Sequence, residues 1–152
     1  MKTKILMVCL GNICRSPLAE GIMKTKLPKD IFEVDSAGTG GWHAGELPDS
    51  RSIAIAKKYG IDISNQRARK FQLKDFETFD YIFVMDKSNL KDVLQLAPNQ
   101  TAKAKVQLIL NTIHNPKTTE VPDPYYGGED GFEHVYQLLN EACEEIAKKI
   151  LH

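Results

Sequence analysis

Residues 4–17 read KILMVCLGNICRSP. Lys4 to Cys9 is an apolar run of strand length, Gly11 and Asn12 break it, and Ser16-Pro17 opens a stretch of helical period, LAEGIMKTKL. A serine can cap a helix, and a first-turn proline loses no hydrogen bond there. A buried strand turning directly into a helix is the first half of a βαβ unit, and it sets the reading of everything that follows.

Further strands are expected at Phe32 to Ser36, Tyr81 to Met85 and Lys105 to Leu110. Asp49 opens a helix over SRSIAIAKKY that stops at Gly60, and Ser88 opens another over NLKDVLQLA before Pro98. The C-terminal GFEHVYQLLNEACEEIAKKIL puts Phe132, Val135, Leu138, Leu139, Ala142, Ile146 and Ile150 on one face. Strands alternating with helices predict an α/β fold: a parallel sheet covered on both faces. No internal repeat or linker interrupts the pattern, so residues 1–152 are read as one domain.

The 152 residues carry 20 basic and 20 acidic side chains, so no global field draws the chain to nucleic acid or to a membrane surface. The apolar run Ile5 to Leu10 is too short for a secretory signal, and no stretch approaches the roughly 20 apolar residues of a spanning helix. Cys9, Cys14 and Cys143 are too few, and odd in number, for a disulfide framework, which favours a reducing cytoplasm. Cys9-x4-Cys14 lacks a second ligand pair, so no metal is expected. Cys143 reads as core filler, and His43, His114, His134 and His152 as surface or loop residues.

Ligands of open α/β sheets bind beyond the carboxyl ends of the strands, which is where LGNICRS lies. Gly11 and Asn12 both tolerate positive φ, so the loop Leu10, Gly11, Asn12, Ile13, Cys14, Arg15 and Ser16 can turn its N–H groups inward as an anion nest. The following helix start adds its positive dipole end, and Arg15 a planar fork for two oxygens of a phosphate-like dianion. The same field favours the thiolate of Cys9, with Ser16 as a hydrogen-bond donor to it. No Gly-Lys-Ser/Thr follows, so metal-free attack on phosphorus fits this loop better than nucleotide binding.

Two long connections, AGTGGWHAGELPD and HNPKTTEVPDPYYGGEDG, leave strands at the same end. Asp123, stiffened between Pro122 and Pro124, is the carboxyl placed to protonate a leaving oxygen. Trp42, Tyr125 and Tyr126 read either as walls of a slot for a flat substrate ring or as packing residues. Arg67, Arg69 and Lys70 read as a solvated charged face, with guidance of an anionic substrate as the alternative.

Cys-x5-Arg-Ser after the first strand, VDSAGT, FDYIFVMDKSNL, DPYYGG and the α/β order between them resemble the low molecular weight protein tyrosine phosphatases over essentially the whole chain. The resemblance implies a four-stranded parallel sheet of order 2-1-3-4 and hydrolysis of phosphotyrosine in protein substrates through a phosphocysteine on Cys9. Arg15 and the loop amides then hold the phosphoryl oxygens. Asp123 is acid and then base, and inorganic phosphate is the product. Asn12, in contact with Ser36, shapes the loop; Ser16 stabilises the thiolate; no metal or organic cofactor takes part. Cys14 matches a cysteine that pairs reversibly with the nucleophile under oxidation, and reads equally as a small buried loop residue. A cytoplasmic monomer is expected.

Arsenate reductases of this fold carry further redox cysteines after the third strand, where MDKSNLKDVLQLAP has none. Arginine phosphatases have threonine where Ile13 stands and lack the paired tyrosines, so Ile13, Tyr125 and Tyr126 favour phosphotyrosine and leave phosphoarginine as the alternative. The alternative from another class is a non-catalytic phosphate- or phosphopeptide-binding module that keeps the nest; the presence of Cys9, Arg15 and Asp123 together favours the enzyme.

Overall fold

A computed structural model of the protein describes residues 1–113, 119–124 and 128–151. The apolar run becomes β1, Thr3–Cys9, and its side chains alternate between two cores as strand geometry requires. Ile5, Met7 and Cys9 join one core, Leu6 and Val8 the other. Strand β1 lies inside the sheet, flanked in parallel by β2 (Phe32–Gly38) and β3 (Tyr81–Val84); β4 (Val106–Leu108) pairs with β3, giving the order β2-β1-β3-β4. Position 9 therefore sits at the carboxyl end of a central strand.

One face is covered by α1 (Arg15–Lys26), α2 (Ser50–Lys58) and α6 (Gly128–Ile150). The predicted apolar stripe of α6 is the buried one, with Phe132, Val135, Leu139, Ala142 and Ile146 in the core and Leu138 and Ile150 packed at its edge. Cys143 lies fully buried on the same stripe. The opposite face holds α3 (Asp75–Thr78), α4 (Lys87–Leu96) and α5 (Gln100–Ala104), over Phe76, Phe79, Val93 and Ala102. Helices α3 and α5, of four and five residues, are too short to show a helical period and were not expected.

Several ends differ from the expectation. The fourth strand stops at Leu108 and tightens into a 3₁₀ turn, Ile109–Thr112. Asp86, not Ser88, caps α4, its carboxylate accepting from the Asn89 N–H at 2.8 Å. Helix α1 starts at Arg15 with Cys14 as its N-cap and no side-chain cap, because the Ser16 hydroxyl is engaged elsewhere. Asp49 does cap α2, through the Arg51 N–H at 2.9 Å.

Cys9 pairs in register with Gly38. A Cβ on Gly38 would lie 2.7 Å from the Leu10 carbonyl oxygen and 3.0 Å from the Asn12 nitrogen, both backbone atoms that cannot step aside. Gly38→Ala should therefore lower stability by about 1–3 kcal/mol through overpacking and displace the loop. Thermal unfolding, with phosphate affinity measured in parallel, checks this.

Candidate active site

The segment from Leu10 to Cys14 wraps the end of β1, and its carbonyls are turned outward. Those of Cys9 and Leu10 accept from Thr39 and Gly40, each at 2.9 Å, that of Ile13 from the Asp49 N–H at 2.7 Å, and that of Cys14 from the Ser52 hydroxyl at 3.1 Å. The backbone N–H groups of residues 11–14 make no hydrogen bond among the described residues. Donors without a protein partner beside the start of α1 are the groups an anion cradle requires. Of the two residues able to take a positive φ, Asn12 does so, at 58°, and Gly11 does not. Gly11 serves close approach instead, since a Cβ there would meet the His43 ring at 3.1 Å.

Asn12 holds its unusual conformation through three contacts. Its Oδ1 accepts the Arg69 N–H at 2.9 Å, and its Nδ2 donates to Ser16 Oγ at 2.7 Å and to Ser36 Oγ at 3.0 Å. Ser16, fully buried, lies 3.0 Å from Cys9 Sγ. The family-implied contacts of Asn12, Ser16 and Ser36 are thus present. Arg69 bridges Asp35 at 3.2 Å and Asp75 at 3.1 Å; its carbonyl accepts the Gly38 N–H at 2.9 Å, and the Gly38 carbonyl accepts the Phe71 N–H at 2.8 Å. At Arg69 the run NQRARK is therefore a partly buried buttress behind the loop, not a solvated face.

Arg15 is 3% exposed and donates from Nη1 to Asp86 at 2.7 Å and to the Val121 carbonyl at 3.0 Å. Burial works against its charge, but Cys9, Asp86 and Asp123 outweigh that and hold its pKa above the usual arginine value. Val121 also donates its N–H to Met85 O at 2.8 Å, tying the returning loop to the end of β3 two residues before Asp123. Cys9, Leu10, Gly11, Ile13, Cys14, Arg15, Trp42, His43 and Asp123 line one pocket of about 270 Å³. Cys9 and Asp123 thus face the same cavity.

Residues 4–152 match the model of the low molecular weight phosphotyrosine protein phosphatase family. The chain belongs to this family. A low molecular weight phosphotyrosine protein phosphatase of Schizosaccharomyces pombe is 43% identical over 152 residues, spanning 97% of this chain and 96% of that protein. The crystal structure of a protein tyrosine phosphatase from Entamoeba histolytica, with Hepes in its active site, superimposes with a TM-score of 0.94 at 42% identity, over 99% of this chain and 97% of its own. Wzb of Vibrio vulnificus, in complex with benzylphosphonate, gives 0.86 at 32% identity, covering 98% and 99%.

Within this member of the phosphatase family, Trp42 is 71% exposed and lies over Gly40 at the pocket rim, which does not fit its reading as a core-packing residue. Tyr125 and Tyr126 lie outside the described residues, as do His114 and His152. His43, a surface or loop residue by its sequence, lines the pocket, its Nδ1 2.9 Å from Glu46 Oε2. Asp86 was also missed; the only trace in the sequence is an acid following a strand.

Cys14 is buried at the pocket floor. Burial, then the charges of Asp49, Cys9 and Asp123, push its thiol up to about 12 against the smaller pull of Arg51. Burial pushes Cys143 to about 12 as well. Both should stay protonated at pH 8, so iodoacetamide there should leave Cys14 and Cys143 unlabelled in the native protein and react with them once it is unfolded. Peptide mass mapping reads the outcome.

Proposed function

We propose that the chain is a cysteine-dependent protein tyrosine phosphatase whose substrate is phosphotyrosine in another protein. Cys9, as its thiolate, attacks phosphorus: the S–P bond forms, the bond to the tyrosyl oxygen breaks, and that oxygen takes the Asp123 carboxyl proton. Arg15 and the loop N–H groups from Leu10 to Ser16 stabilise the equatorial oxygens as charge moves through the transition state. Asp123 then accepts a proton from water, whose oxygen bonds to phosphorus as the S–P bond breaks, releasing inorganic phosphate. No cofactor is assigned a role.

The observation that carries this reading is one pocket lined by Cys9, Arg15 and Asp123. Trp42 at its rim offers a face for the tyrosyl ring, and the benzylphosphonate held by the similar Wzb protein is a phosphonate carrying such a ring. Tyr125 and Tyr126 complete the wall in this reading, and Cys14 is the partner for a reversible disulfide with Cys9. The chain acts as one domain, 1–152, and as a cytoplasmic monomer. Among the described residues no helix is long and apolar enough to cross a membrane.

The test is a rate comparison on phosphotyrosine, phosphoserine and phosphoarginine peptides in excess EDTA. Phosphotyrosine should be the fastest. A clear preference for phosphoarginine would overturn the substrate assignment, and release from none of them would overturn the enzyme.

A further inference from the structure

The hydrogen bonds beneath Cys9 do not end at Ser36. Glu20, on α1 and 4% exposed, accepts the Ser36 hydroxyl on Oε1 at 2.7 Å and the Lys24 ammonium on Oε2 at 2.6 Å. Lys24 itself reaches solvent. Burial holds the Glu20 carboxyl above its ordinary range, against the bonds from Lys24 and Ser36. An unbroken file of contacts thus joins a surface lysine to the sulfur: Lys24, Glu20, Ser36, Asn12, Ser16, Cys9.

Counting hydrogens gives each bond a direction. The backbone N–H of Arg69 can only donate, so Asn12 must turn Oδ1 toward it and present Nδ2 to the two serines. Nδ2 spends one hydrogen on each hydroxyl oxygen, leaving each serine with a single hydrogen to place. An ionised carboxylate only accepts, so that of Ser36 goes to Glu20. Ser16 can give its hydrogen to Cys9 Sγ at 3.0 Å or, over a longer contact, to the Ala37 carbonyl at 3.5 Å.

We propose that Glu20 is a positioning residue for the nucleophile: its carboxylate, anchored by Lys24, fixes the Ser36 hydroxyl as an acceptor for Asn12 Nδ2 and so holds the Asn12 amide, already oriented by the Arg69 N–H, where it donates to the Ser16 hydroxyl beside Cys9 Sγ. The inference rests on Cys9 being the nucleophile. Glu20 touches neither substrate nor the reacting atoms and acts only through the chain of hydroxyl and amide groups. The charged groups around it are Lys24 on its own helix and Asp35 on β2, the latter paired with Arg69.

Glu20→Gln separates charge from shape. Lys24, a donor only, draws the amide oxygen, so the new NH₂ faces Ser36 and donates to it. Ser36 then accepts from two donors and has no acceptor for its own buried hydrogen, which costs the hydroxyl its fixed position and loosens its hold on Asn12. The second-order rate of p-nitrophenyl phosphate hydrolysis, kcat/KM, should fall about tenfold, and alkylation of Cys9 by iodoacetate should slow by a similar factor. The inhibition constant of inorganic phosphate should move less than threefold, and Tm should change little, the removal of a buried charge offsetting the unsatisfied Ser36 hydroxyl.

In a Ser36→Ala background the same substitution should cost less than a further twofold, since the relay is already cut. Glu20→Asp, which keeps the charge, should lose less than Glu20→Gln. Parental rates in Glu20→Gln, full additivity with Ser36→Ala, or an aspartate variant as impaired as the glutamine one would each overturn the proposal. So would a Tm that falls together with phosphate affinity, which would make Glu20 a prop of the loop only. Alkylation reads the inference even if the parent hydrolyses no phosphate ester, so its failure and that of the proposed function are distinguishable.

Discussion

Cys9→Ser should lower turnover of p-nitrophenyl phosphate by on the order of 10⁴-fold or more while the loop still binds phosphate. The substitution replaces a thiolate nucleophile with a weakly nucleophilic hydroxyl and changes little else. The N–H groups of the loop belong to the backbone, and Arg15 keeps its place through Asp86 and the Val121 carbonyl. Initial rates with the chromogenic ester, beside calorimetric titration with inorganic phosphate, separate the two effects. A variant within tenfold of the parent would rule out the covalent route. Phosphate affinity lost together with activity would mean that the sulfur, and not the amides, holds the cradle together.

Asp123→Ala should cost roughly 10²–10⁴-fold on phosphotyrosine, the usual range for a general acid. The size of the loss should depend on the leaving group. A tyrosyl oxygen departs as a basic phenoxide unless it is protonated, whereas p-nitrophenoxide is stable without the proton. The expected signature is a steeper dependence of kcat/KM on leaving-group pKa in the variant than in the parent. Equal losses across a series of aryl phosphates would remove Asp123 from the proton transfer and leave it an electrostatic neighbour of Arg15.

How far the site could be read from the sequence differs residue by residue. Cys9 and Arg15 were legible because strand, break and helix follow one another within residues 4–17, and local preferences depend on neighbours along the chain. Asp123 stood out through its flanking prolines, a local signal for a stiff approach. Asp86 gave no such signal, for its partner Arg15 lies 71 residues away and an acid after a strand is ordinary. Glu20 looked like any acidic residue of a helix until β2 delivered Ser36 against it. His43 had no partner at a telling spacing and reached the pocket by packing over Gly11.

Composition, periodicity and turn chemistry were enough for the class of fold, the order of its main strands and helices, and the end of the sheet at which a dianion would be held. They could not say which loop residue takes the positive φ. Asn12 takes it, not the more permissive Gly11, because Ser16, Ser36 and the Arg69 amide compensate its strain, two of them 24 and 57 residues distant. Nor could they show that Ser16 serves a sulfur instead of capping its own helix. Hydrogen-bond direction and burial are set by whatever the folded chain brings within about 3 Å, and that proximity exists only once the sheet has closed β1, β2 and β3 side by side.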